Sequence, residues 1–177
     1  FFTDLKELSP GDRFEELERY AHHSGAGAQG VIYLPYLSPT GMFAPFVEPS
    51  ARANFFGLSL DHSRGDMLRA VYDGIALSIR HCYESMPVDV QEIRLTGGGA
   101  RSSFWSQIIA DCTGKRCIVP KGSELGAKGA ALLAGVGIGW YESINAASKM
   151  VKIMRIHEPQ QATVYDDTFA TYTLISQ

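Results

Sequence analysis

The chain has little of what most scaffold or enzyme classes require. Only three of its 177 residues are cysteine, Cys82, Cys112 and Cys117. They are odd in number and lack metal-ligand spacing, which speaks against a disulfide framework and for buried thiols in a reducing compartment. No apolar run approaches the ~20 residues of a membrane helix, and Phe1-Phe2-Thr3-Asp4-Leu5-Lys6-Glu7 lacks a basic start leading into an apolar core. The expectation is a soluble, cytoplasmic chain with no membrane partner. Lys and Arg number 16 against 19 Asp and Glu, a net charge of -3, and they are scattered. That excludes the electrostatic footprint of a nucleic-acid binder. Also missing are a Gly-x-Ser-x-Gly elbow, a His-Glu-x-x-His pair and any carboxylate pair singled out by spacing. His22 and His23 are adjacent and cannot share a helix face, so they do not pair on a metal.

What is present is a chain with 45% hydrophobic residues, enough for one substantial core, and the expectation is a single domain over 1–177. It does not begin with Met, as a piece of a longer protein would not. Apolar periodicity predicts helices over 12–22, 63–86, 102–112, 126–139, 143–150 and 165–174, and strands over 31–34, 92–95, 115–119 and 151–156. Strands alternating with helices at this spacing indicate an α/β domain with helices over a mixed sheet. The helix over 63–86 carries Met67, Leu68, Val71, Tyr72, Ile75, Ile79, Cys82, Tyr83 and Met86 on an apolar stripe. Arg64, Asp66, Arg69, Asp73 and Arg80 fall among the remaining positions. Gly74 inside it costs about 1 kcal/mol relative to Ala, which predicts close packing of another backbone there. Residues 37–52, with Pro39, Gly41, Pro45 and Pro49 among Met42, Phe43, Phe46 and Val47, form a long irregular loop. Two readings stay open for it, a ligand or interdomain role and plain packing. Asp61-His62 reads as a turn acid and a surface imidazole, and Glu124 as a complement to the dipole of the helix it precedes.

The most informative stretch is Leu95-Thr96-Gly97-Gly98-Gly99-Ala100-Arg101-Ser102, where a strand breaks into three glycines and restarts as a helix. Glycine lets backbone come close to a ligand, and free N–H groups at a helix start favour an anion. The stretch reads as a nucleotide-phosphate loop, with a tight strand-to-helix turn as the alternative. A dinucleotide fingerprint would need glycine at position 102, which is Ser102, and an acid closing the next strand, which ends Val119-Pro120-Lys121. A Walker loop fails as well, because Gly114-Lys115 is followed by Arg116 and position 109 is Ile109.

Taken together these segments resemble the C-terminal domain of the FGGY family of carbohydrate kinases. Ala53-Asn54-Phe55-Phe56-Gly57-Leu58, seven residues, then Asp66-Met67-Leu68-Arg69-Ala70-Val71-Tyr72-Asp73 is similar to that family's second signature. Leu95 to Ser102 resembles its nucleotide loop, and Glu124-Leu125-Gly126-Ala127-Lys128-Gly129-Ala130-Ala131-Leu132-Leu133-Ala134 its small-residue helix. The resemblance implies an actin-like, ribonuclease-H-like α/β domain, one of two that clasp ATP and a sugar between them. It implies that Gly97, Gly98 and Gly99 present backbone to the phosphates of ATP, that Ala100 to Ser102 sit beside the adenosine, and that the helix from Gly126 packs behind that pocket.

By the same resemblance the activity is transfer of a phosphoryl group from magnesium-bound ATP to a sugar or polyol hydroxyl. The catalytic aspartate and most sugar contacts would lie upstream of this chain, which alone would be inactive. A non-catalytic actin-like ATP-binding module and an NAD-binding Rossmann oxidoreductase are the competing readings, and a homodimer is left open. Tyr33-Leu34-Pro35-Tyr36-Leu37-Ser38-Pro39 followed by Ala44-Pro45-Phe46 resembles the xylulose-kinase-like and erythritol-kinase-like branches. That implies a ketopentose or a four-carbon polyol as substrate.

Overall fold

A computed structural model describes residues 5–176; residues 1–4, which belong to the segment read above as carrying no leader, and Gln177 lie outside the described residues. Helix α1 (Pro10–Ser24) starts where Ser9 Oγ accepts from Asp12 N and Pro10 supplies a preset first turn. It ends at Gly25 and leads into strand β1 (Ile32–Leu34), which pairs antiparallel with β2 (Asn54–Phe56). Strand β2 lies within the signature segment and was not among the expected strands. Helix α2 (Arg64–Glu84) opens with a reciprocal capping box between Ser63 and Asp66. Strand β3 (Glu92–Arg94), a 3-10 turn (Gly99–Arg101), helix α3 (Ser103–Thr113), strand β4 (Arg116–Pro120), helices α4 (Leu125–Gly137) and α5 (Ile144–Ser148), strand β5 (Ile153–His157) and helix α6 (Val164–Ile175) follow.

Strands β3 and β4 run parallel and β5 joins β4 antiparallel, giving the mixed sheet that the alternation of elements predicts. One apolar cluster gathers Ile32, Leu34, Met42, Leu77, Ile93, Ile108, Cys112, Tyr165 and Tyr172 from both ends of the chain. Among the described residues no helix is long and apolar enough to cross a membrane. Cys112 and Cys117 are buried free thiols, and burial pushes the Cys117 thiol up to about 12.

Gly74 meets the other backbone it was expected to meet. A Cβ there would stand 2.1 Å from the carbonyl oxygen of Tyr33 on β1. The stripe assigned to the same helix needs correcting, because its most buried face is not the one with the largest apolar side chains. Asp66, Arg69, Ala70, Asp73, Gly74, Ala76 and Leu77 are buried, while Ile75 and Met86 are exposed. Close backbone contact selects small residues, and the buried charged side chains are hydrogen-bonded, Asp66 accepting from Ser24 Oγ and Ser63 Oγ. Arg69 Nε donates to Asp73 Oδ1 at 2.8 Å, the Tyr165 hydroxyl donates to the same oxygen at 2.9 Å, and Gly27 N donates to Asp73 Oδ2 at 2.9 Å. The last bond anchors a left-handed turn in which Ala28 and Gln29 adopt φ of 47° and 54°, a conformation non-glycine residues rarely hold.

The long loop is closed on itself. Met42 N donates to the carbonyl of Glu48 at 3.0 Å, Glu48 N returns the bond at 2.9 Å, and Met42 is buried. Leu37, Phe43 and Val47 remain exposed, so packing accounts for only part of its apolar content. Helix α4 begins at the cleft-lining Leu125 and is open along most of its glycines. It packs on α5, but no described atom lies within 4 Å of a Cβ added at Gly126, Gly129 or Gly137, and Leu133 is exposed. Only Gly135 is approached closely, by the ring of Tyr141.

Candidate functional site

The parallel pair β3–β4 brings two chain reversals side by side at the carboxyl ends of its strands. One is the glycine run after β3, and the other is residues 121–124 after β4. Crevices outside the carboxyl ends of parallel strands are where ligands of α/β sheets bind. A cleft of about 120 Å³ lies here, lined by Leu95, Thr96, Gly97, Gly98, Ala100 and Arg101 on one side. Val119, Pro120, Gly122, Ser123, Leu125 and Met154 form the other. A larger groove of about 690 Å³ sits at the carboxyl ends of α2 and α3. Its charged side chains are already matched, Arg80 with Glu84 and Asp166 and Lys115 with Asp89, so size alone does not mark a site.

The three glycines stand in three different surroundings. Gly97 has φ of 83°, a left-handed conformation that a side chain would strain. Gly99 lies under the indole of Trp105, whose Cδ1 and Nε1 would stand 3.1 Å from an added Cβ. Gly98 has an ordinary helical φ of -61°, and no described atom lies within 4 Å of its hypothetical Cβ. Nothing within the fold demands glycine at 98; its bareness opens the cleft to something else. Among the described residues, the N–H groups of Gly97, Gly98, Gly99 and Ala100 find no hydrogen-bond acceptor. Four successive free donors beside a cleft form a site suited to an anion.

The remaining expected residues flank that opening. Ala100 lines the cleft and is itself buried. Ser102 is the N-cap of α3, its Oγ accepting from Trp105 N at 2.9 Å, and it does not reach the cleft lining. Trp105 packs against Tyr72 of α2 with ring centroids 5.4 Å apart, and Tyr72 also meets Phe104 edge-on at 5.5 Å. Burial, with a smaller contribution from Glu18, pushes the Tyr72 phenol up to about 12. The packing beneath the loop is thus neutral and aromatic; Gly97, Gly98 and Ala100 line the cleft, and Gly99 does not. Val119, Pro120, Gly122, Ser123, Leu125 and Met154 were not singled out from the sequence. The parallel register Arg94 to Ile118, which brings the ends of β3 and β4 together, could not be read there.

The model of the C-terminal domain of the FGGY family of carbohydrate kinases matches residues 3–138. The chain is 33% identical over 181 residues to an erythritol kinase of Brucella abortus, an alignment covering 96% of this chain and 33% of that one. It is 32% identical to a xylulose kinase of Staphylococcus epidermidis, over 93% of this chain and 34% of that one. Among solved structures, a ligand-bound xylulose kinase from Lactobacillus acidophilus superposes with a TM-score of 0.84 at 25% identity, covering 97% of this chain and 36% of the other. A gluconate kinase from the same organism gives 0.85 at 25% identity, covering 96% and 34%. The chain therefore spans about a third of the length of these relatives and has the actin-like α/β fold of that part of them. The matched model and the relatives together establish that the chain belongs to the FGGY family of carbohydrate kinases.

Proposed function

We propose that the chain is one domain, the nucleotide-holding C-terminal part of a kinase that transfers the γ-phosphoryl group of ATP to a sugar or polyol hydroxyl. The observation that carries this reading is the run of four free N–H groups, Gly97 to Ala100, at the carboxyl end of a parallel strand pair, with Gly97, Gly98 and Ala100 lining the cleft. At about 120 Å³ the cleft is too small to enclose a nucleotide, since pockets for drug-sized ligands run to roughly 300 Å³ or more. It serves as one side of a clamp whose other side belongs to a further domain. In this reading Gly97, Gly98 and Gly99 offer N–H groups to the phosphates, and Ala100 and Ser102 stand beside the adenosine. Leu95, Val119, Leu125 and Met154 provide apolar surface for the base.

Phosphoryl transfer needs positioning and charge stabilisation more than covalent chemistry, and this run of donors contributes both through fixed backbone dipoles. The base that accepts the hydroxyl proton would be an aspartate of the other domain, and closure of the two would exclude water from the transferring group. The cleft lining contains no carboxylate, so these residues do not form a magnesium site, and no step is assigned to a metal held by this chain. A reaction drawing on ATP and a free sugar is consistent with a cytoplasmic protein. The proposed acceptor is a ketopentose or a four-carbon polyol, in line with the similarity to an erythritol kinase and a xylulose kinase.

The test is ATP-dependent phosphorylation by the intact protein against pentuloses, tetritols, gluconate and glycerol, with ADP release as the readout. Turnover on a pentulose or a tetritol supports the proposal. Absence of turnover on every acceptor overturns it. Binding of NAD instead of MgATP in calorimetric titration would favour an oxidoreductase.

A further inference from the structure

We propose that Arg155, on β5, is a positioning residue for the nucleotide cleft, acting through two backbone carbonyls of the glycine loop and not by touching the ligand. This inference rests on the reading that the cleft holds ATP. Arg155 Nη2 donates to the carbonyl oxygen of Ala100 at 2.6 Å and to that of Arg101 at 2.8 Å. These carbonyls close the 3-10 turn that follows the free N–H groups, and they accept from no other group among the described residues. The turn has only two internal bonds of its own, Arg101 N to Gly98 O at 3.2 Å and Ser102 N to Gly99 O at 3.1 Å. A loop so weakly self-bonded needs an external tie to keep its donors aimed in one direction.

Arg155 is well placed to be that tie. It sits opposite Val119 in the β4–β5 pairing, and its neighbour Met154 lines the cleft, so one strand supplies both a wall and the brace. Hydrogen bonds with an ionised donor are about twice as strong as neutral ones, and a planar guanidinium loses less freedom per bond than a lysine does. Arg155 lies 55 residues along the chain from the Ala100 carbonyl it holds, a separation that no local pattern announces. Its role follows only from the antiparallel return of β5 across the sheet.

The test uses the intact protein with Arg155→Met and Arg155→Lys, read by KM for ATP against kcat, by KM for the sugar, by melting temperature and by amide exchange at Arg101 and Ser102. Loss of the two charge-assisted bonds is expected to raise KM for ATP about ten-fold in R155M, with kcat at saturating ATP changed less than about two-fold. KM for the sugar stays as it was, exchange at Arg101 and Ser102 accelerates, and R155K lies between the two. An unchanged KM for ATP overturns the proposal. So does an equal loss of kcat, sugar affinity and melting temperature in both variants, which would mark Arg155 as a general packing residue. Should the wild-type protein neither bind nor turn over ATP, the functional reading fails by itself. Amide exchange then decides the brace alone: acceleration in R155M supports it, and no change overturns it.

Discussion

The carbonyl oxygen of Tyr33 occupies the space where a side chain on Gly74 would begin, 2.1 Å from the missing Cβ. Strand β1 and helix α2 touch there through backbone alone, and the contact lies at the end of the signature segment. Replacing Gly74 by Ala is expected to destabilise the protein by about 3 kcal/mol, the upper end for overpacking, because the obstructing atom is main chain and cannot rotate away. Urea unfolding of G74A measures this, and a midpoint equal to wild type would show that β1 shifts freely.

Arg69 and Asp73 are both buried and directly paired, with Tyr165 and Gly27 completing the carboxylate's partners. Removing the cation alone, as in Arg69→Met, strands a buried carboxylate and should cost about 3–5 kcal/mol. Because Asp73 also holds the left-handed turn through Gly27 N, amide exchange at Gly27 should accelerate before global unfolding in R69M. Equal protection in both proteins would mean that the turn keeps itself.

The three glycines of the loop should respond differently to the same substitution. Gly98→Ala meets open space and a helical φ. Stability is therefore expected to stay within about 0.5 kcal/mol of wild type, or to rise slightly, while MgATP affinity falls. Gly99→Ala pushes on the Trp105 indole and should lower stability together with affinity. Calorimetric titration paired with melting curves separates the two, and a G98A protein that binds MgATP like wild type would remove Gly98 from the site.

Stability should fall as pH drops below neutrality. Burial lowers the affinity of His157 for a second proton, with the Arg155 charge adding to it, and burial also lowers His81. His157 Nδ1 pairs with Gln107 Oε1 at 3.1 Å, and its Nε2 is buried and finds no partner among the described residues. A folded pKa below the unfolded value near 6.5 means that the unfolded chain binds more protons in this window. The contribution is therefore whole above about pH 6.5 and is lost as pH falls through the lower folded value. Each such histidine can contribute a slope of at most about 1.4 kcal/mol per pH unit. Urea midpoints between pH 7.5 and 5 measure the slope, which should shrink in His157→Gln; an identical slope would rule out His157 as its source.

Much of this protein is legible from local pattern. Capping residues, prolines and glycines bracket α1, α2 and α3, and apolar period marks β1, β3, β4 and β5, because these signals act within a few residues. Strand β2 escaped because Asn54, Phe55 and Phe56 do not alternate in polarity, and the strand exists only through its pairing with β1. The buried face of α2 escaped for a related reason. Periodicity reports where apolar side chains lie but not how near the next backbone comes, and at Tyr33 it comes near enough that Gly74 and Ala70 outrank Met67 and Ile75.

The glycine run divides in the same way. Sequence alone determined that a strand breaks into three glycines before a capped helix, since turn chemistry and capping are properties of neighbouring residues, and the family signature is likewise written in linear spacing. Tertiary structure decided which glycine its neighbours leave uncrowded, that Val119, Leu125 and Met154 line one cleft with Gly97 and Gly98, and that Arg155 bonds the Ala100 carbonyl from β5. Those are relations between strands, set by parallel and antiparallel register, and register arises only when hydrogen-bonded ladders bring distant parts of the chain together.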